Sequence, residues 1–209
     1  WLPQQIYYVL ALKQWLKINS ENPVICVPSG NFGNICAGIL AHHRGLPVEH
    51  FIAACNVNDV VPEYLRTEIL KPKETVATIS NAMDVGDPSN FVRILELFEK
   101  EFNQVKSKLS GYTIDDEETL KTIERVEKDY GYVLDPHGAV AFVALEKYLA
   151  ENGGKGFFLE TAHPVKFPDS VEKATGKSVE IPKSLEELMR QEKFTTEINP
   201  QYEELKEFL

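Results

Sequence analysis

Val27-Pro28-Ser29-Gly30-Asn31-Phe32-Gly33-Asn34 closes a short apolar run, Val24 to Val27, and leads into a segment with helical periodicity that ends at Gly45. A joint of this kind, strand to tight loop to helix, is the building unit of parallel α/β folds. Glycine, serine and asparagine in the loop leave backbone N–H groups uncovered, and such loops bind anions at the start of the following helix. Two common nucleotide patterns do not fit. No lysine follows Gly33 before Lys71, which excludes G-x-x-x-x-G-K-[ST], and Gly30 to Gly33 is G-x-x-G instead of G-x-G-x-x-G. The joint therefore reads either as a plain turn capped by Ser29 or Asn31, or as a cradle for some other phosphate.

Outward from this joint, helices and strands alternate. The spacing predicts a helix over Gln4 to Leu16 and another over Asn34 to Arg44, with Gly45 as its left-handed stop. Phe51 to Ala54 reads as a strand, and Asn58-Asp59 caps a short helix reaching Arg66. The β-branched run Thr75 to Ile79 predicts a strand, followed by a loop over residues 80–84. Asp87-Pro88-Ser89 opens a long helix carrying Phe91, Leu95, Phe98, Phe102 and Val105. Thr113 with Asp116 has the form of a capping box for a helix that stops at Gly131. Tyr132 to Leu134 reads as strand, His137 to Ala150 as helix, Gly156 to Glu160 as the last strand, and Ser170 to Ala174 as a short helix. The strands are continuous apolar runs without period-two alternation. That pattern predicts an α/β fold with a mostly parallel open sheet flanked by helices on both faces. Residues 1–185 are expected to form the main domain and 186–209 an acidic helical tail, with Ser184 and Glu187 as a capping box.

The composition excludes several classes. The 209 residues carry a net charge of −10, and the charge runs are acidic, as in Asp115-Asp116-Glu117-Glu118, which argues against nucleic acid. No apolar run approaches the ~20 residues that span a bilayer, and no secretory signal is recognisable. Cys26, Cys36 and Cys55 match neither a zinc pattern nor C-x-x-C, and read as buried small hydrophobes in a reducing, cytoplasmic setting. His42, His43 and His50 show no metal-ligand spacing.

In open parallel sheets ligands bind beyond the carboxyl ends of the strands. After the five predicted strands come Ser29-Gly30-Asn31, Asn56-Val57-Asn58-Asp59, Ser80-Asn81, Asp135-Pro136-His137 and Thr161-Ala162-His163, all polar. Asp135 read alone is a helix cap, and Thr161 alone is an ordinary strand-end residue. A dinucleotide site fails, because Glu49 follows Gly33 without the required glycine spacing.

Taken in order, PSGNFGN, FIAACNVNDVVPEYL, TISNAMDVGDPSNF, DPHGA and ETAHPVKF resemble the landmarks of the C-terminal part of the threonine synthase family, over roughly residues 1–185. The resemblance implies the larger part of a fold-type II pyridoxal-phosphate enzyme, similar to the tryptophan synthase β subunit. Enzymes of this family convert O-phosphohomoserine and water to threonine and phosphate. It further implies that Ser29, Gly30, Asn31, Phe32, Gly33 and Asn34 cradle the phosphate of pyridoxal 5'-phosphate. Thr161 would meet the pyridine nitrogen, and Ser80, Asn81 and Asp84 would border the substrate pocket. A hydroxyl beside that nitrogen leaves the ring largely unprotonated and a milder electron sink.

One departure stands out. These enzymes hold the cofactor on a lysine in an F-K-D context upstream of the glycine loop. That context is absent here, and neither Lys155 nor Lys166 matches it. The chain is accordingly expected to be a truncated portion that begins after this lysine, lacks catalytic residues of its own and depends on a missing N-terminal domain. The competing expectation is a non-enzymatic binding or regulatory module of related descent.

Overall fold

A computed structural model describes residues 2–192 and 194–207. Four strands, β1 (Val24–Pro28), β2 (His50–Cys55), β3 (Leu109–Thr113) and β4 (Gly156–Phe158), form one sheet in the order β3-β2-β1-β4. Every pairing is parallel, with Cys26 opposite Ile52 on one side and Phe158 on the other. All residues of β1 and β2 are buried. Both faces are covered, so no position on these strands can be polar without losing its solvent.

The two faces use alternate residues of the same strands. Ile25, Val27, Phe51 and Ala53 pack with Tyr8 of α1 (Gln5–Trp15), Ile35 and Ile39 of α2 (Gly33–His43) and Tyr64 of α3 (Val60–Thr67). The same cluster takes in Phe91 and Ile94 of α4 (Phe91–Leu97) and Val105 of α5 (Phe102–Lys108). Val24, Cys26, Ile52 and Ala54 face α7 (Pro136–Asn152) through Val140, Ala141 and Ala144. Outside α7 lies α6 (Asp116–Tyr130), whose Ile123 and Val126 meet Leu134 and Ala139, and α8 (Pro168–Thr175) packs on α6. The cysteines are free and buried.

The predicted α/β class holds, while individual elements differ. Thr75 to Ile79 forms no strand: its N–H groups are taken by side chains, Val76 by Asn58 Oδ1 at 2.8 Å and Thr78 by Asp84 Oδ2 at 3.0 Å. Local β propensity yields to a side-chain network that a neighbouring strand would displace. Tyr132 to Leu134 is irregular as well, since it only carries the chain from Gly131, at φ 66°, to the cap of α7. The unexpected strand is β3, Leu109–Thr113, and Gly111 lets it lie against α3: a Cβ there would come within 2.8 Å of Pro62 Cα. The expected long helix breaks into α4 and α5 at Glu99 and Lys100, both left-handed at φ 54° and 62°. Each such residue costs about 1–2 kcal/mol, offset by turning Phe98 and Phe102 onto the same core. The cap of α6 is Asp115, which accepts from the Glu118 N–H at 2.8 Å, and Thr113 instead ends β3.

The chain divides into two compact units, one ending at Val179 and one starting at Glu180. The second contains α9 (Lys183–Met189) and α10 (Tyr202–Glu207). Within it Glu204 accepts from the Asn199 N–H and Nδ2 at 2.8 and 2.7 Å, and α10 buries no residue.

Candidate functional site

The opening loop lies beyond the carboxyl end of β1. Ser29 is tied back to the sheet: its N–H donates to Ala54 O at 2.8 Å and its hydroxyl to Val27 O at 2.8 Å. Asn31 reaches away from the helix, with Oδ1 accepting from Ser89 Oγ at 3.0 Å and its carbonyl accepting from Asn90 Nδ2 at 3.0 Å. Neither side chain therefore caps α2. The residue in the cap position is Phe32, held left-handed at φ 61° with no side-chain hydrogen bond to the helix. Its ring is buried and meets Phe91 edge-on at 5.6 Å.

The first intrahelical bond runs from the Cys36 N–H to Phe32 O. That leaves the N–H groups of Gly33, Asn34 and Ile35 pointing out of the helix end, as every uncapped α-helix does. Together with the helix dipole they favour an anion by about 0.3–2 kcal/mol, before any charge-assisted bond is counted. A turn capped by Ser29 or Asn31 is not what forms, since neither side chain bonds to the start of α2.

A cleft of about 200 Å³ opens at this point, lined by residues 28–35 and by Ala82, Met83, His137 and Thr161. Gly30 forms its tightest wall, since a Cβ there would stand 2.6 Å from Met83 Cα. Gly33 is roomier, meeting only Asn90 Nδ2 at 3.5 Å. Asn34 lines the cleft while its side-chain and backbone oxygens both accept from Tyr8 OH at 2.9 Å. Thr161 follows β4 and is exposed, bordering both this cleft and the neighbouring concavity lined by Gln4, Tyr7 and Glu160.

The candidate substrate residues are placed differently. Ser80 is buried, and its hydroxyl accepts from Asn56 Nδ2 at 3.2 Å. Asp84 accepts from Asn56 Nδ2 at 2.8 Å, Thr78 Oγ1 at 2.7 Å and Asn58 Nδ2 at 3.2 Å. These two side chains hold the loop in shape and do not line the cleft. Asn81 is exposed at the head of the 3₁₀ turn Asn81–Met83.

Residues outside the expected set complete the site. Asp135 caps α7 by accepting from the His137 and Gly138 N–H groups, and His137 Nδ1 donates to Asp135 Oδ1 at 2.6 Å. His137 Nε2 accepts from the Ala82 N–H at 3.2 Å, which sets the neutral Nδ1–H tautomer. Glu160 is exposed as a residue, yet its carboxyl oxygens lie over Gly138, where a Cβ would collide with both, and beside Asp135. Burial and the adjoining Asp135 push the Glu160 carboxyl up to about 8. For Asp135, burial pulls upward, but the hydrogen bonds from His137 and Glu160 outweigh it and hold the carboxyl below its usual range. The DPHGA run was visible in the sequence as a helix start, and no local signal tied it to Ala82 or Glu160.

A larger concavity, about 570 Å³, lies where the strands begin and is lined by Ser20, Glu21, Glu49, Tyr148 and Lys155. The C-terminus of α7 ends there, so the partial charge at that end is negative and unsuited to an anion. Among the described residues no lysine lines the 200 Å³ cleft, and no cluster of three or more metal-ligating side chains exists. No helix among them is long and apolar enough to cross a membrane.

The pyridoxal-phosphate dependent enzyme model matches residues 4–157, which contain the cradle loop, the 3₁₀ turn and the Asp135–His137 pair. The chain belongs to the pyridoxal-phosphate-dependent enzyme family. A second model, threonine synthase C-terminal, matches residues 138–209. The threonine synthase of Escherichia coli strain K12 is 47% identical over 186 residues, covering 89% of this chain and 43% of that protein. The crystal structure of the E. coli enzyme superposes with a TM-score of 0.87 at 42% identity, over 98% of this chain and 47% of that one. A PLP-bound threonine synthase from Brucella melitensis superposes at 0.86 with 31% identity, over 99% and 49%. This member of the pyridoxal-phosphate family thus matches the C-terminal part of threonine synthases, and it spans about half the length of the relatives it matches.

Proposed function

We propose that the chain is the cofactor-phosphate half of a threonine synthase, a lyase that converts O-phospho-L-homoserine and water to L-threonine and phosphate. The observation that carries this reading is the uncapped N-terminus of α2 opening into a cleft that Thr161 and His137 also line. Pyridoxal phosphate, when bound, supplies an electron sink for carbanions at the substrate carbons. The residues present fit that group: the N–H groups of residues 33–35 take its phosphate, Gly30 leaves backbone where a side chain would intrude, and Thr161 offers a hydroxyl to the ring nitrogen. Asn81 borders the substrate, while Ser80 and Asp84 serve it by shaping the loop.

The lysine that holds the cofactor belongs, in this reading, to the half of the relatives that this chain does not span. An apolar surface supports a second half docking nearby. Ile6, Tyr7, Val9 and Leu10 of α1 are about half exposed or more, and Tyr7 borders the concavity beside Thr161. Residues 1–179 are proposed as the domain that holds the cofactor phosphate, with the acidic helical segment beyond it.

Two measurements test this. Titration of the 209-residue protein with inorganic phosphate should move the amide resonances of residues 31–35 selectively. The isolated chain should form no threonine and no lysine-bound cofactor chromophore, whereas a protein extended upstream through the F-K-D lysine should show both. Turnover by the 209 residues alone would overturn the assignment of that lysine to the other half.

A further inference from the structure

The Asn81–Met83 turn stands against the cradle, held from its own side by the Asn56 bonds to Ser80 and Asp84 that flank it and by Met83, which is buried in the cluster of Cys26, Ile52 and Val140. It is a three-residue 3₁₀ turn with no side-chain cap, yet it supplies Ala82 and Met83 to the cleft wall and packs within a methyl group's width of Gly30. Its hydrogen bond to the opposite side of the cleft runs from the Ala82 N–H to His137 Nε2. His137 is itself fixed on three sides: by Asp135 at Nδ1, by the Phe167 ring at 4.8 Å, and by its place in the first turn of α7. Asp135 is fully buried and held in turn by the Glu160 carboxyl over Gly138. Tyr132 faces the same two carboxyls, whose charge adds to burial in raising its hydroxyl above the ordinary value.

We propose that His137 and Asp135 are positioning residues that lock the Asn81–Met83 turn in place as the second wall of the phosphate cradle, with Glu160 tying that lock to the segment that carries Thr161. The lock joins three segments that are remote in sequence: the stretch after α3, the entry to α7 and the exit of β4. Asp135 keeps the imidazole turned with its lone pair toward Ala82, so the wall cannot swing outward without breaking its bond to the buried His137 ring. A carboxyl at Glu160 that keeps its proton donates to Asp135 and leaves one negative charge on the pair, balanced by the donors on His137 and the α7 N-terminus. The consequence for ligand affinity rests on the reading of the cleft as a phosphate seat; the lock itself does not.

Two variants separate the halves of the contact. His137→Asn can still donate to Asp135 but cannot reach Ala82, whereas His137→Gln can reach Ala82 but not Asp135. In wild type, ring-nitrogen NMR should find Nδ1 protonated and Nε2 bare. Amide exchange at Ala82 should quicken about tenfold or more in H137N and stay close to wild type in H137Q. Binding of inorganic phosphate, followed at the amides of residues 31–35, should weaken about fivefold or more in H137N and be largely rescued in H137Q. An Nε2-protonated ring in wild type, or unchanged Ala82 exchange in H137N, overturns the lock. Normal exchange effects with unchanged phosphate affinity overturn its role in the cradle. If phosphate binds neither wild type nor variants, the cradle reading fails, and the tautomer and exchange results still decide the lock.

Discussion

Gly30→Ala is the substitution on which the site geometry can be judged most directly. Gly30 does not lie at positive φ, so the change imposes no backbone strain of its own and the whole effect is steric. The new Cβ would sit 2.6 Å from Met83 Cα, 3.0 Å from Ala82 O and 3.2 Å from Met83 C. These are backbone atoms of the turn facing the cradle, which must retreat by about 0.8 Å to reach the 3.4 Å of ordinary contact. Overpacking of this size costs about 1–3 kcal/mol, and in a chain this long each kcal/mol lowers the thermal midpoint by roughly 2–4 °C. Because the displaced backbone includes Ala82, the bond to His137 should suffer as well, quickening Ala82 amide exchange. Gly33→Ala is the control for stability: its Cβ meets only Asn90 Nδ2 at 3.5 Å, so its urea unfolding should change little. The assay is urea unfolding of both variants beside phosphate titration. Wild-type stability and phosphate affinity in G30A would refute the placement of the turn against the loop.

Other consequences follow from the same geometry. Phe32→Gly should relieve about 1 kcal/mol of left-handed strain but forfeit about 3–5 kcal/mol of buried ring, so urea denaturation should find it roughly 2–4 kcal/mol less stable. A more stable F32G would show that the ring is not packed on Phe91. Asn58→Ala should free the Val76 amide for rapid exchange, since Asn58 Oδ1 is its acceptor, while leaving β1 and β2 protected; unchanged Val76 exchange would contradict the network. Glu160 predicts a pH dependence of known sign. With its folded pKa raised from 4.5 to about 8, the folded state holds a proton that the unfolded state has released, so stability falls as pH rises through that window. Relative to Glu160→Gln, wild type should lose thermal midpoint between about pH 5 and 8.5, and a difference that grows in wild type's favour over that range would refute the pairing with Asp135.

Much of this architecture was legible in the chain itself. The unbroken apolar runs at Val24 and Phe51 could only be strands covered on both sides, and that requirement alone implies a parallel sheet between helix layers. The glycines and polar residues at 29–34 marked a strand-to-helix joint able to expose backbone donors, and the ordered set of motifs pointed to the family. Capping at Asp135 and the stop at Gly131 were equally local and equally readable, because each depends on one residue's own donors, acceptors or φ.

Tertiary structure decided what depends on neighbours. Thr75 to Ile79 has the composition of a strand, but Asn56, Asn58 and Asp84 satisfy that loop's polar groups and hold it off the sheet. Leu109–Thr113 looks like a linker and becomes an edge strand because Gly111 admits Pro62. Ser29 and Asn31 were both able to cap α2, and neither does, because Val27 O and Ser89 Oγ claim them first. Periodicity and capping report what a residue can do with its own turn of chain. Which of several chemically equal partners a buried polar group takes is set by the packing that brings Ala82 to His137 and Glu160 to Asp135 across many residues of sequence.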